Sequence, residues 1–517
     1  MAATPDDTTS LKPLQGGALV LLTIAVAFST FMEVLDMTIV NVSVPHIAGS
    51  LGVSPSEGTW TISSYALASA IMQPLTGWLA RRFGEVRTFI SSVTLFVLFS
   101  MLCGMATSMP MLVICRLLQG AGSGPMVALS LALLLSSYPK AKQGMALALW
   151  AMTVVVAPIF GPILGGWLTD NFSWPWIFYI NVPVGALAAL ITWALLHKRE
   201  TKTFKMPIDV IGLVLLVVGV GALQFMLDNG NDHDWFASPM ILTLGIIALV
   251  CLTFLIVWEL HARHPVVELA LFKRRNFTVA VVALSLGMMA FFGINVVFPL
   301  WLQIDLGYTA TWAGLASAPV GVLAFLMAPV IGANIQRLEL RAVVTFAFIV
   351  FAVTSFWFAS FDSSASFGTL VLPRFVMGIG IACFFIPLNQ MYLSGLNPDQ
   401  VASASGLANF CRTLASSVST AATVTLWQHR GEYHHAVLTE HITPAAPAAT
   451  GFLQQLQHGG FSTRQGLDVV DQLITREALT LSVNDVYLVC AVLFLAMIPL
   501  LWLARPPFGN AGGAPGH

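Results

Sequence analysis

Apolar residues fill most of the chain in long runs, and short polar stretches punctuate them. A helix needs roughly 20 predominantly apolar residues to cross a bilayer. Runs of that kind begin near residues 17, 59, 88, 109, 143, 178, 208, 239, 276, 312, 341, 368, 401 and 485. The pattern predicts an all-α integral membrane protein with fourteen transmembrane helices and both termini on one side. One segment between runs is much longer than the rest. Residues 427–484 read as a long loop before the last helix, although Leu453-Gln-Gln-Leu-Gln and Val469-Val-Asp-Gln-Leu-Ile within it repeat apolar residues at helical spacing. Loops of that length are usually functional or disordered.

Composition agrees with the pattern. The 517 residues are 57% hydrophobic and 9% charged, with a mean hydropathy of +0.82, against about 25% charged in a soluble domain. A net charge of −1 leaves no basic footprint for nucleic acid. The six cysteines (103, 115, 251, 383, 411, 490) all sit in apolar runs and read as small core hydrophobes rather than disulfides or metal ligands. The first apolar run is too long for a signal peptide and carries acids, so it reads as a retained first helix. Lys and Arg accumulate in cytoplasmic loops of membrane proteins. With the N-terminus inside, the outer loops hold Arg430, Arg464 and Arg476, and Arg116, Arg374 and Arg412 fall within helices. All other Lys and Arg residues lie in inner loops or tails. Both ends are therefore expected in the cytoplasm.

The chain repeats itself. Leu112-Val-Ile-Cys-Arg116-Leu-Leu-Gln-Gly120-Ala-Gly122 aligns with Leu370-Val-Leu-Pro-Arg374-Phe-Val-Met-Gly378-Ile-Gly380, and a weaker echo pairs Gly77…Arg82 with Gly332…Arg337. The repeat predicts a cytoplasmic tail (1–16) and a six-helix half (17–198). An inserted helix pair with flanking loops (199–275), a second half containing the 427–484 loop (276–504) and a closing tail (505–517) follow. Chance similarity in so apolar a chain is the competing reading.

Candidate chemistry centres on Glu33 and Asp36, three apart in the first run and so on one helix face. Charge at membrane depth is costly and marks ion or substrate paths, and desolvation favours the neutral form of a carboxyl. Asp36 is the first candidate for a proton site, with Glu33 beside it; the alternative is that both acids snorkel to water at a helix end. Arg116, inside the fourth helix, needs an acid partner, with Glu33 or Asp36 nearest by topology. Its pairing is either part of proton coupling or a static device fixing helix register. Gly77, Arg81, Arg82, Gly84 and Arg87 close the second helix. Ala157, Gly161 and Gly165 make a small-residue face on the fifth, with Pro158 and Pro162 permitting a bend and Gly166 adjoining. Positive-inside topology would explain the arginines, and packing alone the glycines. Asn41, Phe291, Phe292, Met377, Phe384 and Phe385 are candidates for an adaptable cavity. Arg374 and Arg412 would give it a positive potential that favours anionic amphiphiles. The histidines of 427–484 (429, 434, 435, 441, 458) lack tight ligand spacing and read as solvated surface. No nucleotide-binding or zinc-protease motif is present, so the expectation is a non-enzyme with no cofactor, driven by an ion gradient.

These pieces resemble the major facilitator superfamily, and within it the fourteen-helix drug:proton antiporter branch and its EmrB-like multidrug export proteins. Leu35-Asp36-x-Thr38-Ile39-Val40-Asn41-Val42-x-Val44-Pro45 looks like that branch's first-helix motif, and Gly161-Pro162-x-x-Gly165-Gly166 like its antiporter motif. Trp174-x-Trp176-Ile177-Phe178-Tyr179-Ile180-Asn181-Val182-Pro183 is similar to the signature opening helix 6, and Asp209-x-x-Gly212 to the start of the inserted pair. Arg81 stands where the wider superfamily carries an acid, as the EmrB branch also has it, so an acid-mediated inner gate does not carry over. Glu33 lies outside the branch motif. The resemblance implies a proton-coupled antiporter in a bacterial inner membrane that exports hydrophobic or weakly acidic drugs and confers antibiotic resistance. It also implies a tripartite pump with a periplasmic EmrA-like adaptor and an outer-membrane channel. The long segment 427–484 is the expected docking place for the adaptor. The alternatives are a narrow exporter of an endogenous amphiphile such as a fatty acid, or a polytopic receptor or scaffold.

Overall fold

The computed structural model describes residues 14–508 apart from 54, 206, 263, 264, 441, 444 and 445. Helices lie at all fourteen expected places. They are α1 (Gly16–Ile39), α2 (Trp60–Phe83), α3 (Glu85–Gly104), α4 (Met109–Ser137), α5 (Gln143–Asn171), α6 (Trp176–Leu196), α7 (Val210–Asn229), α8 (Pro239–His261), α9 (Arg275–Ile304), α10 (Thr311–Asn334), α11 (Leu340–Phe358), α12 (Phe367–Leu393), α13 (Val401–Glu440) and α14 (Thr463–Leu501). Among the described residues, eleven are long and apolar enough to span a bilayer. A twelfth, α5, qualifies when its two segments, which meet at 46°, are taken together. The bend falls between Pro158 and Ile163, where the sequence places its prolines. The fourteen-span reading is thus not reached on apolarity alone, because α2 and α13 carry many Ser, Thr, Asn and Gln residues. They carry them because they face each other rather than lipid. A Cβ on Gly77 would sit 1.8 Å from Ser403 Oγ, one on Gly406 would sit 2.4 Å from the Gln73 carbonyl oxygen, and Thr413 Oγ1 donates to Gln73 Oε1 at 3.0 Å.

The repeat has a geometric meaning. In the first half α4 packs on α1, α2 and α3, while α1 packs on α5 and α6 and α3 on α6; in the second, α12 packs on α9, α10 and α11, while α9 packs on α13 and α14 and α11 on α14. The paired glycines sit at matching crossings. A Cβ on Gly120 would approach Tyr65 O to 2.4 Å, and one on Gly378 would approach Val320 O to 2.3 Å. Gly122 abuts the α3 backbone at Phe96 N, and Gly380 abuts the Phe351 ring of α11. The halves meet along two equivalent seams, α5 with α10 and α13 with α2. At the first, Gly144 and Gly332 touch backbone to backbone. Peripheral α7 and α8 pack on each other, and α7 leans on α2 and α13. Asp209 caps α7 by accepting from Gly212 N at 3.0 Å, and it takes Trp258 Nε1 of α8 at 2.7 Å.

Residues 427–484 are not a loop. α13 runs 40 residues and α14 39, about 60 Å each at 1.5 Å per residue, roughly twice the hydrocarbon thickness. Their ends form a helical hairpin capped by the short helix Pro447–His458. Helical spacing marked the α14 side, whereas the polar α13 side has no apolar stripe to read. The hairpin is held by Arg430 and His434 on Asp485 at 2.6 and 2.7 Å, and by His435 on Asp471 at 3.1 Å. Two of the five histidines are therefore paired rather than merely solvated, and His441 lies outside the described residues. Its base is tied to the α11–α12 connection by Arg476 Nη2 to Ser363 O at 2.9 Å and Asn484 Nδ2 to Phe361 O at 2.9 Å. The closing tail 509–517 lies outside the described residues.

Neighbouring glycines of α5 separate a close crossing from a position with room for a side chain. A Cβ on Gly165 would lie 2.4 Å from Ile39 O, and one on Gly166 would meet nothing within 4 Å. Gly165→Ala is expected to cost about 1–3 kcal/mol and Gly166→Ala nothing measurable, as read by thermal unfolding of the purified protein in mild detergent.

Candidate functional site

A helix that places a carboxylate in a bundle interior must also place its partners there. Asp36, completely buried near the end of α1, receives an ion pair from Arg116 Nη1. Asn181 Nδ2 donates to its Oδ1 at 2.9 Å, and Gln119 Nε2 donates to the same oxygen at 3.2 Å. Arg116 is itself 1% exposed. It donates from Nε to Thr61 O and from Nη1 to Gln119 Oε1, both at 2.9 Å, and its guanidinium lies 4.1 Å above the Tyr65 ring. Asn181 reaches on to Ser100 Oγ at 3.1 Å, and Ser100 donates to Phe178 O at 2.9 Å. One charge pair thus ties together α1, α2, α3, α4 and α6. Of the two acids open to Arg116, it is Asp36 that pairs.

Glu33, one turn back on α1, is 1% exposed, and its Oε2 has no hydrogen-bond partner. Two charges act on it: Arg412 of α13, in the other half, and Asp36. The arrangement sets a buried, incompletely paired carboxyl between a fixed ion pair and a cation on the opposing half.

The basic cluster finds acids elsewhere in sequence. Arg81 pairs with Glu268, in the segment before α9, and Arg82 lies beside it in the last turn of α2. Glu200, just past α6, caps α3 by accepting from Val86 N at 3.0 Å and Arg87 N at 2.9 Å, with Arg87 Nε 3.9 Å away. Gly84, at φ +95°, is required twice over, since a Cβ there would also strike the Glu200 carboxyl. Gly161 and Gly165 receive Thr38 and Ile39 of α1, whereas Gly166 faces open space. The side chain of Pro162 lies outside the described residues.

The cavity candidates divide. Phe384 is packed among Phe348, Phe351 and Phe385 and against Gly287 in the second half's core, and Met377 is 1% exposed. Neither lines an open cavity here, because helical spacing does not say which inward face meets a neighbouring helix. Phe385, with Ile386, bounds a small gap against Ala151 and Met152 of the other half. Phe291 and Phe292 are half-buried on α9, as is Arg412 on α13. Asn41 is exposed in the short helical turn Asn41–Ser43. Arg374 is fully buried, donates from Nη1 to Asn295 Oδ1 at 3.0 Å and lies 4.0 Å above the Phe298 ring. Sequence reading missed Thr61, Gln119, Asn181, Asn295, Glu200 and Glu268. Only Asn181 carried a signal, as the polar residue within the helix 6 signature.

Removing one member of a buried ion pair strands the other, at a cost of about 3–5 kcal/mol. Asp36→Asn and Arg116→Gln should each lower the unfolding midpoint, and the double variant should fall short of their sum because the two sites share one interaction. Additive losses in that cycle would show the pair to be incidental.

A profile of the Major Facilitator Superfamily matches residues 26–420. The chain is 49% identical over 506 residues to the multidrug export protein EmrB of Escherichia coli K12, covering 98% of this chain and 99% of that one. It is 50% identical to the EmrB protein of Haemophilus influenzae (96% and 98% covered) and 48% identical to the fatty acid resistance protein FarB of Neisseria gonorrhoeae (98% and 99%). In fold it matches the crystal structure of the human organic anion transporter MFSD10, with a TM-score of 0.59 at 12% identity, over 94% of this chain and all of that one. The two-half bundle, the buried charge pair at its centre and full-length identity near one-half together place the chain in the major facilitator superfamily, among the EmrB-like multidrug export proteins: a multi-pass membrane transporter, not an enzyme.

Proposed function

We propose that the protein is a proton-driven exporter of hydrophobic and weakly acidic drugs and toxic amphiphiles, working by alternating access between its two halves. The observation that carries this reading is Glu33, buried with an oxygen unpaired between the Asp36–Arg116 pair and Arg412 of the other half. A cation brought near a carboxyl favours its ionised form, and withdrawing it favours the neutral form. Movement of α13 relative to α1 would therefore make Glu33 load or release a proton. Asp36 would hand its own charge between Arg116 and a proton as α4 shifts. Gly77 lies in a seam between the halves, Gly161 and Gly165 would let α1 adjust against α5, and the Arg81–Glu268 and Arg87–Glu200 pairs would latch one end of the bundle. No bound cofactor enters this scheme.

The basic end of the bundle would face the cytoplasm of a bacterial inner membrane, with both termini there, in keeping with the Lys and Arg distribution. Likeness to a fatty acid resistance protein supports a narrower second reading, export of an endogenous fatty amphiphile.

The test is proton-gradient-driven uptake of a fluorescent amphiphile into inverted vesicles. The native chain should transport, whereas Asp36→Asn and Glu33→Gln should bind the dye yet lose at least tenfold in driven uptake, the loss expected when a proton-transfer group is removed. Uptake equal to native in both variants would place the coupling group elsewhere.

The hairpin 427–484 stands about 30 Å proud of the bilayer by its helix length. It would dock a periplasmic EmrA-like adaptor that leads to an outer-membrane channel. Deleting the segment between Arg430 and Arg476 should abolish co-purification of the adaptor while leaving transport in vesicles; an adaptor that still co-purifies overturns the docking role.

A further inference from the structure

The two halves answer their equivalent arginines differently. Arg116 meets Asp36 at a sequence separation of 80, and Arg374 meets Asn295 at a separation of 79. Each pair joins the fourth helix of a half to its first. A neutral amide stands in the second half where a carboxylate stands in the first. Arg374 is 0% exposed, and among the described residues the only polar partner recorded for its guanidinium is Asn295, through Nη1. Nε and Nη2 have none, and neither has the hydroxyl of Tyr487, whose side chain acts electrostatically on Arg374. Phe298 covers one face of the guanidinium at 4.0 Å, and Phe358, stacked on Tyr487 at 4.8 Å, lies 5.7 Å from it.

A buried guanidinium without a counter-charge is costly, and this one leaves a particular edge free. Nε–H and Nη2–H point the same way along one side of the guanidinium plane, spaced to take the two oxygens of a carboxylate in parallel hydrogen bonds. A spherical anion can also sit on that edge, but it cannot place a separate oxygen on each donor as a carboxylate does. Tyr487 adds a hydroxyl donor, and the surrounding rings exclude water. Half-buried Asn295 accepts from the remaining nitrogen, Nη1, and lies on the same helix as half-buried Phe291 and Phe292.

We propose that Arg374, Tyr487 and Asn295 form a carboxylate-binding site in the second half, which takes the head group of an anionic amphiphile and so lets the cargo supply the counter-charge that Asp36 supplies in the first. This rests on reading the chain as an exporter of amphiphiles, but the binding is measurable without transport.

Decanoate binding to the full-length protein in nanodiscs, followed by calorimetry against decanol, tests it. Native protein should bind decanoate at least tenfold more tightly than decanol, the gain expected of a charge-assisted fork. Asn295→Asp, which installs a fixed carboxylate beside Arg374, should remove that preference. Tyr487→Phe, which deletes one hydroxyl, should weaken decanoate severalfold and serves if the aspartate variant does not fold. An unchanged decanoate preference in either folded variant overturns the site. Displacement of decanoate by millimolar chloride would show an inorganic-anion site and overturn the carboxylate assignment. Failure of driven uptake with the decanoate preference intact would sink the antiport reading and leave this one standing.

Discussion

A charge inside a membrane has to be answered inside the protein, and in the first half that demand organises everything near it. Arg116 takes Asp36 as counter-ion, the Thr61 carbonyl and Gln119 as further acceptors and the Tyr65 ring as a floor. Asp36 takes Asn181 and Gln119. Each partner sits on a different helix or a different turn, so satisfying the pair sets the position of five helices at once. Hydrophobic packing could not do this alone, because lipid is as apolar as the helices and gives them little reason to associate. Small residues supply the close approach, and the polar network supplies the register.

The second half copies the packing without copying the chemistry. Its glycines meet the same kinds of neighbour, its helices the same partners, and its arginine lies in the same place. Its counter-charge is replaced by an amide. A duplicated scaffold has thus become one half that is electrostatically closed and one that is not. Between them run two seams, one of glycine and alanine where α5 meets α10 and one of glycine, serine and glutamine where α2 meets α13. Small side chains at such seams let the helices approach closely.

Much of this was legible in the sequence, for reasons that also mark where legibility stops. Apolar runs, intramembrane arginines and the Gly-x-Gly repeats are local in sequence and carry large energetic penalties, so they stand out. Asp36, Arg116, Gly161 and Gly165 all sit at close contacts. Gly166, adjacent in the same motif, has room for a Cβ where Gly165 has none, and only three-dimensional packing separates the two. Thr61 and Asn295 are unremarkable as letters because their arginine partners lie tens of residues away. Phe384 and Met377 show the limit of reading cavities from composition, since an inward aromatic fills a core as readily as it lines a path. The hairpin was mistaken for a loop because polar helices outside the bilayer carry little of the periodicity that betrays amphipathic ones.

The 80-residue separation between Asp36 and Arg116 also has a meaning in time. At about 5–20 residues per second of synthesis, the first helix emerges several seconds before the fourth exists. Throughout that interval Asp36 has no arginine to meet, so α1 enters the membrane as an incomplete element, its acid hydrated or carrying a proton. Biogenesis of the first half is therefore an assembly step as well as a threading step, and it cannot end before α4 arrives and the ion pair closes.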